Sequence, residues 1–282
     1  MTWVGLRHGE DRRSLLLLAA LVVLLALQWT GALRHWLLLL PTCVLAFAAC
    51  VIKHNHVHCR TFRGAWRNRL FEHALGLATG HTTAGIVTGH NVRHHGLNQT
   101  DADWVRASLV GFRHNAVNLL AFPFVVVARM HAERAGDLAR WRPALARRAV
   151  VERTVLWLVM AALLVADWRA TLIYLGVPWV FGQWALITIN LLQHQDCDAA
   201  SDVDHSRNVT GRAMNWLFLN NGFHAAHHLR PALHWSRLPA FHAAHVAPRA
   251  RPELSERSLL RAAWTQFMTG PAARRPAVTA WT

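Results

Sequence analysis

Lys53-His54-Asn55-His56-Val57-His58-Cys59-Arg60 is the stretch on which the reading of the whole chain turns. It sets three histidines directly after an apolar run, where a helix would leave a membrane. Two clusters of similar form follow: His90, His94 and His95, then His224, His227 and His228. Histidine in or beside a span is costly without a partner, and twenty of them in 282 residues far exceeds what an ordinary membrane protein carries. One buried metal site would give the clusters a common purpose.

The surrounding sequence places these clusters at a membrane. Hydrophobic residues make up 53% of the chain and fall in uninterrupted runs, which argues for a single membrane-embedded unit over 1–282. Uncharged windows predict four spans, near 14–33, 35–53, 150–167 and 170–192, each pair forming a hairpin long enough to cross a hydrocarbon core of ~30 Å. The expected fold is therefore an all-α integral membrane protein, with four transmembrane helices in two hairpins. A helical cap over 54–149 and 193–247 carries the histidines. The segment 115–128, interrupted by Pro123, suits an interfacial or re-entrant position, and 252–268 suits an amphipathic surface helix. Residues from Gly270 onward are expected to be loose.

Thirty Lys plus Arg against fifteen Asp plus Glu give a net charge of +15. The arginines gather beside the apolar windows, at Arg60, Arg63, Arg67 and Arg69 and again at Arg140, Arg142, Arg147, Arg148 and Arg153, so they belong to span flanks rather than to nucleic-acid binding. The positive-inside rule puts those loops, both termini and all three histidine clusters on the cytoplasmic side. Four cysteines without a CxxC pair suggest neither a disulfide framework nor a thiolate zinc site. No P-loop, GxGxxG or GxSxG is present.

On an α-helix, residues three or four apart share a face. His54 with His58, His90 with His94 and its neighbour His95, and His224 with His227 and His228 can each aim imidazoles into one cavity, while His56 should point away. Asn190 and His194, one turn apart at the end of the last span, add a fourth contribution. Nine histidines are too many for one tetrahedral zinc and suit two metals; imidazole-rich ligation fits iron, copper or zinc. Asp101, Asp103, Asp196, Asp198 and Asp204 lie near the clusters in sequence and are of the type that orients a ligating imidazole through its other nitrogen, a part His205 and His234 can also play. His8, His35, His73, His81, His114, His131, His242 and His245 are taken as ordinary histidines, and Trp157, Trp179 and Trp184 are placed to line a tunnel.

The series HxxxH, HxxxHH and HxxHH resembles the membrane fatty acid desaturase and hydroxylase superfamily. The likeness runs from Lys53 to about Trp235, through HNHVH, GHNVRHHGLNQTDAD, NLLQHQDCD and NNGFHAAHHLRPALHWSRLP. It implies a cytosolic non-haem di-iron centre with His54, His58, His90, His94, His95, His194, His224, His227 and His228 as ligands. Asn190, His56, Asp101, Asp196 and Asn221 would act from behind the ligands or through water. It further implies oxygen-dependent oxidation of an unactivated C–H bond in a fatty acyl chain, carried as acyl-CoA, on an acyl-carrier protein or in a lipid. Electrons would come from a separate donor such as ferredoxin or a haem or flavin reductase system. Desaturation is expected, because the box spacing resembles desaturases more than alkane hydroxylases, whose first box normally carries a glutamate. The alternatives are a di-iron hydroxylase of a lipid or alkyl chain, a membrane zinc hydrolase and a metal-binding transporter; in a transporter the ligands should sit at the bilayer midplane.

Overall fold

The computed structural model describes residues 5–111 and 115–269, with the backbone alone over 133–141. His114 and the tail from Gly270 lie outside the described residues. Long helices dominate. Helices α1 (Arg12–Trp29) and α2 (Leu39–His58) form the first pair. The second helix starts and ends later than its apolar window suggests, so His54 and His58 sit on its last turns rather than in a separate cap.

Helix α3 (Ala65–Thr79) packs on α2 and ends at Gly80, whose positive φ of 70° closes the helix. A Cβ there would lie 2.6 Å from the Trp179 ring, so only glycine fits. Thr82 caps α4 (Thr83–Ile86) by accepting from the Gly85 amide at 3.2 Å, and α4 runs on as a π-helix over Val87–His94. This part of the chain is thus mostly helical, as expected of a helical cap over 54–149.

Helix α5 (Ala116–Trp141) does not turn back on itself, which removes the re-entrant alternative. Its apolar part packs one face, Phe122 and Val126, against Leu191 and Leu192. Helix α6 (Pro143–Thr171) begins with proline in the first turn, where its missing N–H is harmless. A π-turn over Leu172–Gly176 joins it to α7 (Val177–His194).

Three segments are long and apolar enough to cross a membrane: Gly9–Trp29, Trp36–His58 and Pro143–His194. The last is 52 residues, roughly 78 Å if straight, more than twice a hydrocarbon core. It is not straight: Asp167 leaves helical geometry (φ −155°, ψ 93°), and its Oδ1 accepts from the Ala170 amide at 2.9 Å to start a new helix. That break falls at the charged interruption, Asp167-Trp168-Arg169. There the two helix pairs meet, with Arg34 3.8 Å from Asp167 and Trp29 Nε1 donating to Thr171 Oγ1 at 2.9 Å.

Helix α2 is the centre of the assembly. Its small residues Ala46, Ala48, Ala49 and Cys50 are buried, and a Cβ on Gly182 of α7 would lie 2.9 Å from the Ala46 backbone, so the two helices approach closely. Beyond α7 lie three short helices, α8 (Arg212–Leu217), α9 (His224–Leu229) and α10 (Leu238–Phe241). Strand β1 (Asn208–Val209) pairs in parallel with β2 (Ser255–Glu256) and ties the tail to the segment after α7. The tail helix, α11 (Leu259–Phe267), is shorter than the expected 252–268. Ala262, Gln266 and Phe267 are buried against α5 and α7, and only Leu260, Trp264 and Met268 remain as an exposed apolar edge.

Candidate metal centre

All nine predicted histidines converge where α2 and α7 end. They form two groups, His54, His58, His90, His95 and His227 in one and His94, His194, His224 and His228 in the other, with the ligand atoms of each group within 4.8 Å of one another. The groups adjoin: the His95 and His228 rings stack at 4.3 Å between centroids. Each group draws on several segments, and the second and third clusters are each split between them.

Local backbone geometry explains the split. In α2, His54 and His58 are one α-turn apart and stay together. In α9, His224 and His228 share a face and His227 leans into the other group. The second cluster would place His90 over His94 in an α-helix, but here the turn is π, with the His95 amide donating to the His90 carbonyl at 2.9 Å. The wider turn brings His95 over His90, Nε2 to Nε2 3.1 Å, and releases His94 into the second group. HxxxHH on a π-turn therefore presents its imidazoles as HxxHH does on an α-turn.

Several rings are fixed from behind. His94 Nδ1 donates to Asp103 Oδ2 at 3.0 Å, and both side chains are fully buried. His194 Nδ1 donates to the His205 carbonyl at 3.0 Å and His54 Nδ1 to Asn55 Oδ1 at 3.2 Å. Since these partners only accept, each ring carries its proton there and turns an Nε2 lone pair inward. His94 Nε2 then has no hydrogen-bond partner among the described residues, nor have the buried His58 Nε2 and His228 Nε2. Buried lone pairs without donors are what a cation satisfies.

Spacing agrees. His95 Nε2 lies 3.0 Å from His227 Nε2, and His194 Nε2 lies 2.8 Å from His224 Nε2. Two nitrogens each about 2.1 Å from a shared ion sit about 3 Å apart when their bonds meet at a right angle. Burial first, then neighbouring imidazoles, push His90, His95, His224, His227 and His228 well below the ordinary value, keeping them neutral as ligation requires. The residues present fit a pair of metal ions.

The remaining candidates divide. Asp101 is exposed and pairs with Arg106 at 3.1 Å, so the carboxylate that serves a histidine is Asp103, two residues on. Asp196 is exposed in a left-handed turn (φ 59°) rather than buried against an imidazole. His56 points away from both groups, as its spacing predicts: its ring contacts Thr61 Oγ1 at 3.0 Å and Arg60 Nη1 at 3.1 Å. It also faces Glu72, which both Arg60 and Arg148 contact. Burial alone would raise the Glu72 pKa, but His56 and the two arginines prevail and hold it at about 2. Asn190 donates to the Val105 carbonyl at 3.1 Å, and the Asn221 carbonyl accepts from Gln193 at 3.0 Å. Two supposedly ordinary histidines have definite structural places: the His81 carbonyl accepts from buried Lys53 at 2.5 Å, and His242 packs on Phe223 at 5.1 Å.

A cavity of about 300 Å³ reaches His54 and His90 of one group and His224 of the other. Its wall is mainly apolar, from Val105, Met130, Leu186, Ile187 and Ile189, with Gln183, Asn190 and Asn221 as polar points. Trp157 lines it; Trp184 donates instead to the Leu120 carbonyl at 3.3 Å.

No curated protein matches the chain. A family model described as fatty acid desaturase matches residues 29–258 of the 282, from the end of α1 to the residue before α11. With that match covering most of the chain, from the end of α1 through α2, α6 and α7, and all nine clustered histidines, the chain belongs to the fatty acid desaturase family.

Proposed function

We propose that the protein is a single-domain, multi-pass membrane oxidoreductase that introduces a double bond into a fatty acyl chain at a di-iron centre, with dioxygen as co-substrate. The observation that carries the reading is the division of nine imidazoles into groups of five and four, with one apolar cavity reaching both groups at His54, His90 and His224. Five imidazoles do not suit a closed tetrahedral zinc site, which argues against the hydrolase, and ligands at helix ends rather than mid-span argue against a transporter. His54, His58, His90, His95 and His227 would hold one iron and His94, His194, His224 and His228 the other. When bound, the pair supplies reductive activation of dioxygen for attack on an unactivated C–H bond.

The chain's own residues prepare that chemistry. Asp103 and the His205 carbonyl keep protons on the outer nitrogens of His94 and His194, so the inner nitrogens remain free to ligate. Leu186, Ile187, Ile189, Val105 and Met130 hold an alkyl chain and exclude water beside His54, His90 and His224. Asn190 pins the loop at Val105 to α7 and so shapes the cavity floor. The absence of a first-box glutamate favours desaturation over hydroxylation.

The meeting of Arg34 with Asp167, remote in the fold from the histidines, supports four crossings in two hairpins, and by the positive-inside rule the arginine-rich flanks put the centre and both termini on the cytoplasmic face. A separate protein such as a ferredoxin or a haem or flavin reductase would deliver electrons there. Metal analysis of the detergent-purified protein from iron-replete cells, followed by mass spectrometry of acyl products, tests the reading. Close to two irons per chain and an alkene product are expected; zinc alone, or an alcohol as sole product, would replace it with the hydrolase or the hydroxylase.

A further inference from the structure

The cavity also indicates where its occupant comes from. Among its lining residues only four are exposed: Val127 and His131 on α5, and Arg153 and Trp157 on α6. The mouth therefore opens between these two helices. Their outer faces beside it are apolar and exposed, with Val117, Leu120 and Phe124 on α5 and Val150, Leu158 and Val165 on α6. In a membrane protein such faces meet lipid tails, so a mouth framed by them opens into the bilayer rather than into water.

One cation stands in that frame. Arg153 is exposed and has no acidic partner among the described residues; its neighbour Glu152 is buried and accepts from the Ala84 amide at 3.0 Å on the protein side. Beside the mouth, His131 bonds its own helix, with Nδ1 donating to the Val127 carbonyl at 2.8 Å. An arginine between valines and an exposed tryptophan has the character of an interfacial anchor, able to reach lipid phosphate while its stem lies along apolar surface. The cavity, about 300 Å³, is at the small end of ligand pockets. It holds a stretch of chain, and the rest of the molecule must remain outside.

We infer that the substrate is an acyl chain still esterified in an anionic glycerophospholipid, which enters sideways between α5 and α6 with its phosphate at Arg153. The inference rests on the acyl-chain reading above, and it excludes a water-borne thioester carrier as the direct donor.

Photolabelling tests it without turnover. The full-length protein is reconstituted in phosphatidylcholine vesicles containing phosphatidylglycerol with a mid-chain diazirine, and in a parallel sample with diazirine palmitoyl-CoA; labelled peptides are then mapped after irradiation. The lipid probe should label Met130, Leu156, Leu186 or Ile187, and excess palmitoyl-CoA should not displace it. Arg153→Glu should lower that labelling about fivefold, the size expected for one cation–phosphate contact at a membrane surface, while Arg153→Lys keeps it. Cavity labelling by the acyl-CoA probe with the lipid probe confined to Phe124 and Leu158 would overturn the inference, as would unchanged labelling in Arg153→Glu. Labelling needs neither iron nor reductant, so a failed iron count alongside correct labelling removes the redox reading alone.

Discussion

Asp103 holds His94 in the tautomer that a metal ligand needs. Its Oδ2 accepts from His94 Nδ1 and from the Gln99 amide, and its Oδ1 from the Val105 amide, each at 3.0 Å, so the carboxylate is itself fixed. Asp103→Asn keeps the shape but offers His94 an ambiguous partner. We expect metal affinity at the second group to fall about 10- to 100-fold, measured by competition with a chelator. Asp101→Asn, on an exposed carboxylate, should leave it unchanged. The depressed imidazoles fix a pH dependence. Groups whose folded pKa lies below the free value of 6.5 resist protons that the unfolded chain accepts. Stability from this source is full above about pH 6.5 and declines as pH falls below it. Melting curves recorded from mildly alkaline to acidic buffer should show the midpoint dropping together with bound metal; a flat midpoint on the acid side would contradict neutral, buried ligands.

At the scale of elements, the π-turn over Val87–His94 reconciles two different histidine spacings. The extra residue lets His90 and His95 bond the same group while His94 serves the other, the pattern that α9 achieves with one residue fewer. Deleting Val92 should convert the turn to an ordinary α-turn with the same pairing, and we expect metal to be retained. Deleting Ala226 from α9 has no surplus residue to absorb it and should empty both groups. Metal analysis of the two purified variants decides the point, and equal loss in both would show that the π-turn does not set the pairing. The bend at Asp167 is of another kind. There a charged side chain caps the helix that follows, and the chain turns because the sequence supplies both a break and a cap.

For the whole molecule, the two helix pairs place one end at the Arg34–Asp167 contact and the other at the histidines. If the pairs are hairpins through a bilayer, these ends face opposite compartments. Cysteine introduced for exposed Arg34, in a background lacking the native cysteines, should react with an impermeant maleimide added to intact cells. Cysteine introduced for exposed Leu97, beside the second cluster, should react only after permeabilisation. Reaction of both from one side would remove the four-crossing arrangement. His95→Ala and His227→Ala, whose rings meet at the join between clusters far apart in sequence, should each abolish activity and lower bound metal while the protein stays in the membrane.

What the sequence determined by itself was whatever depends on residue type at short range. The apolar windows, the break at Asp167-Trp168-Arg169 and the nine histidines that gather are all legible there, because span length and helical spacing are local properties. His56 was rightly set apart by the same spacing. The tertiary structure alone decided how nine imidazoles divide into two groups, since that depends on a π-turn no residue pattern announces and on the meeting of α2, α7 and α9. It also chose Asp103 over Asp101, because two carboxylates two residues apart differ only in which one the fold buries against His94. The cavity mouth between α5 and α6 belongs to the same class: Arg153 is one of several arginines in its basic run, and only packing sets it at the rim of a pocket that ends on the histidines.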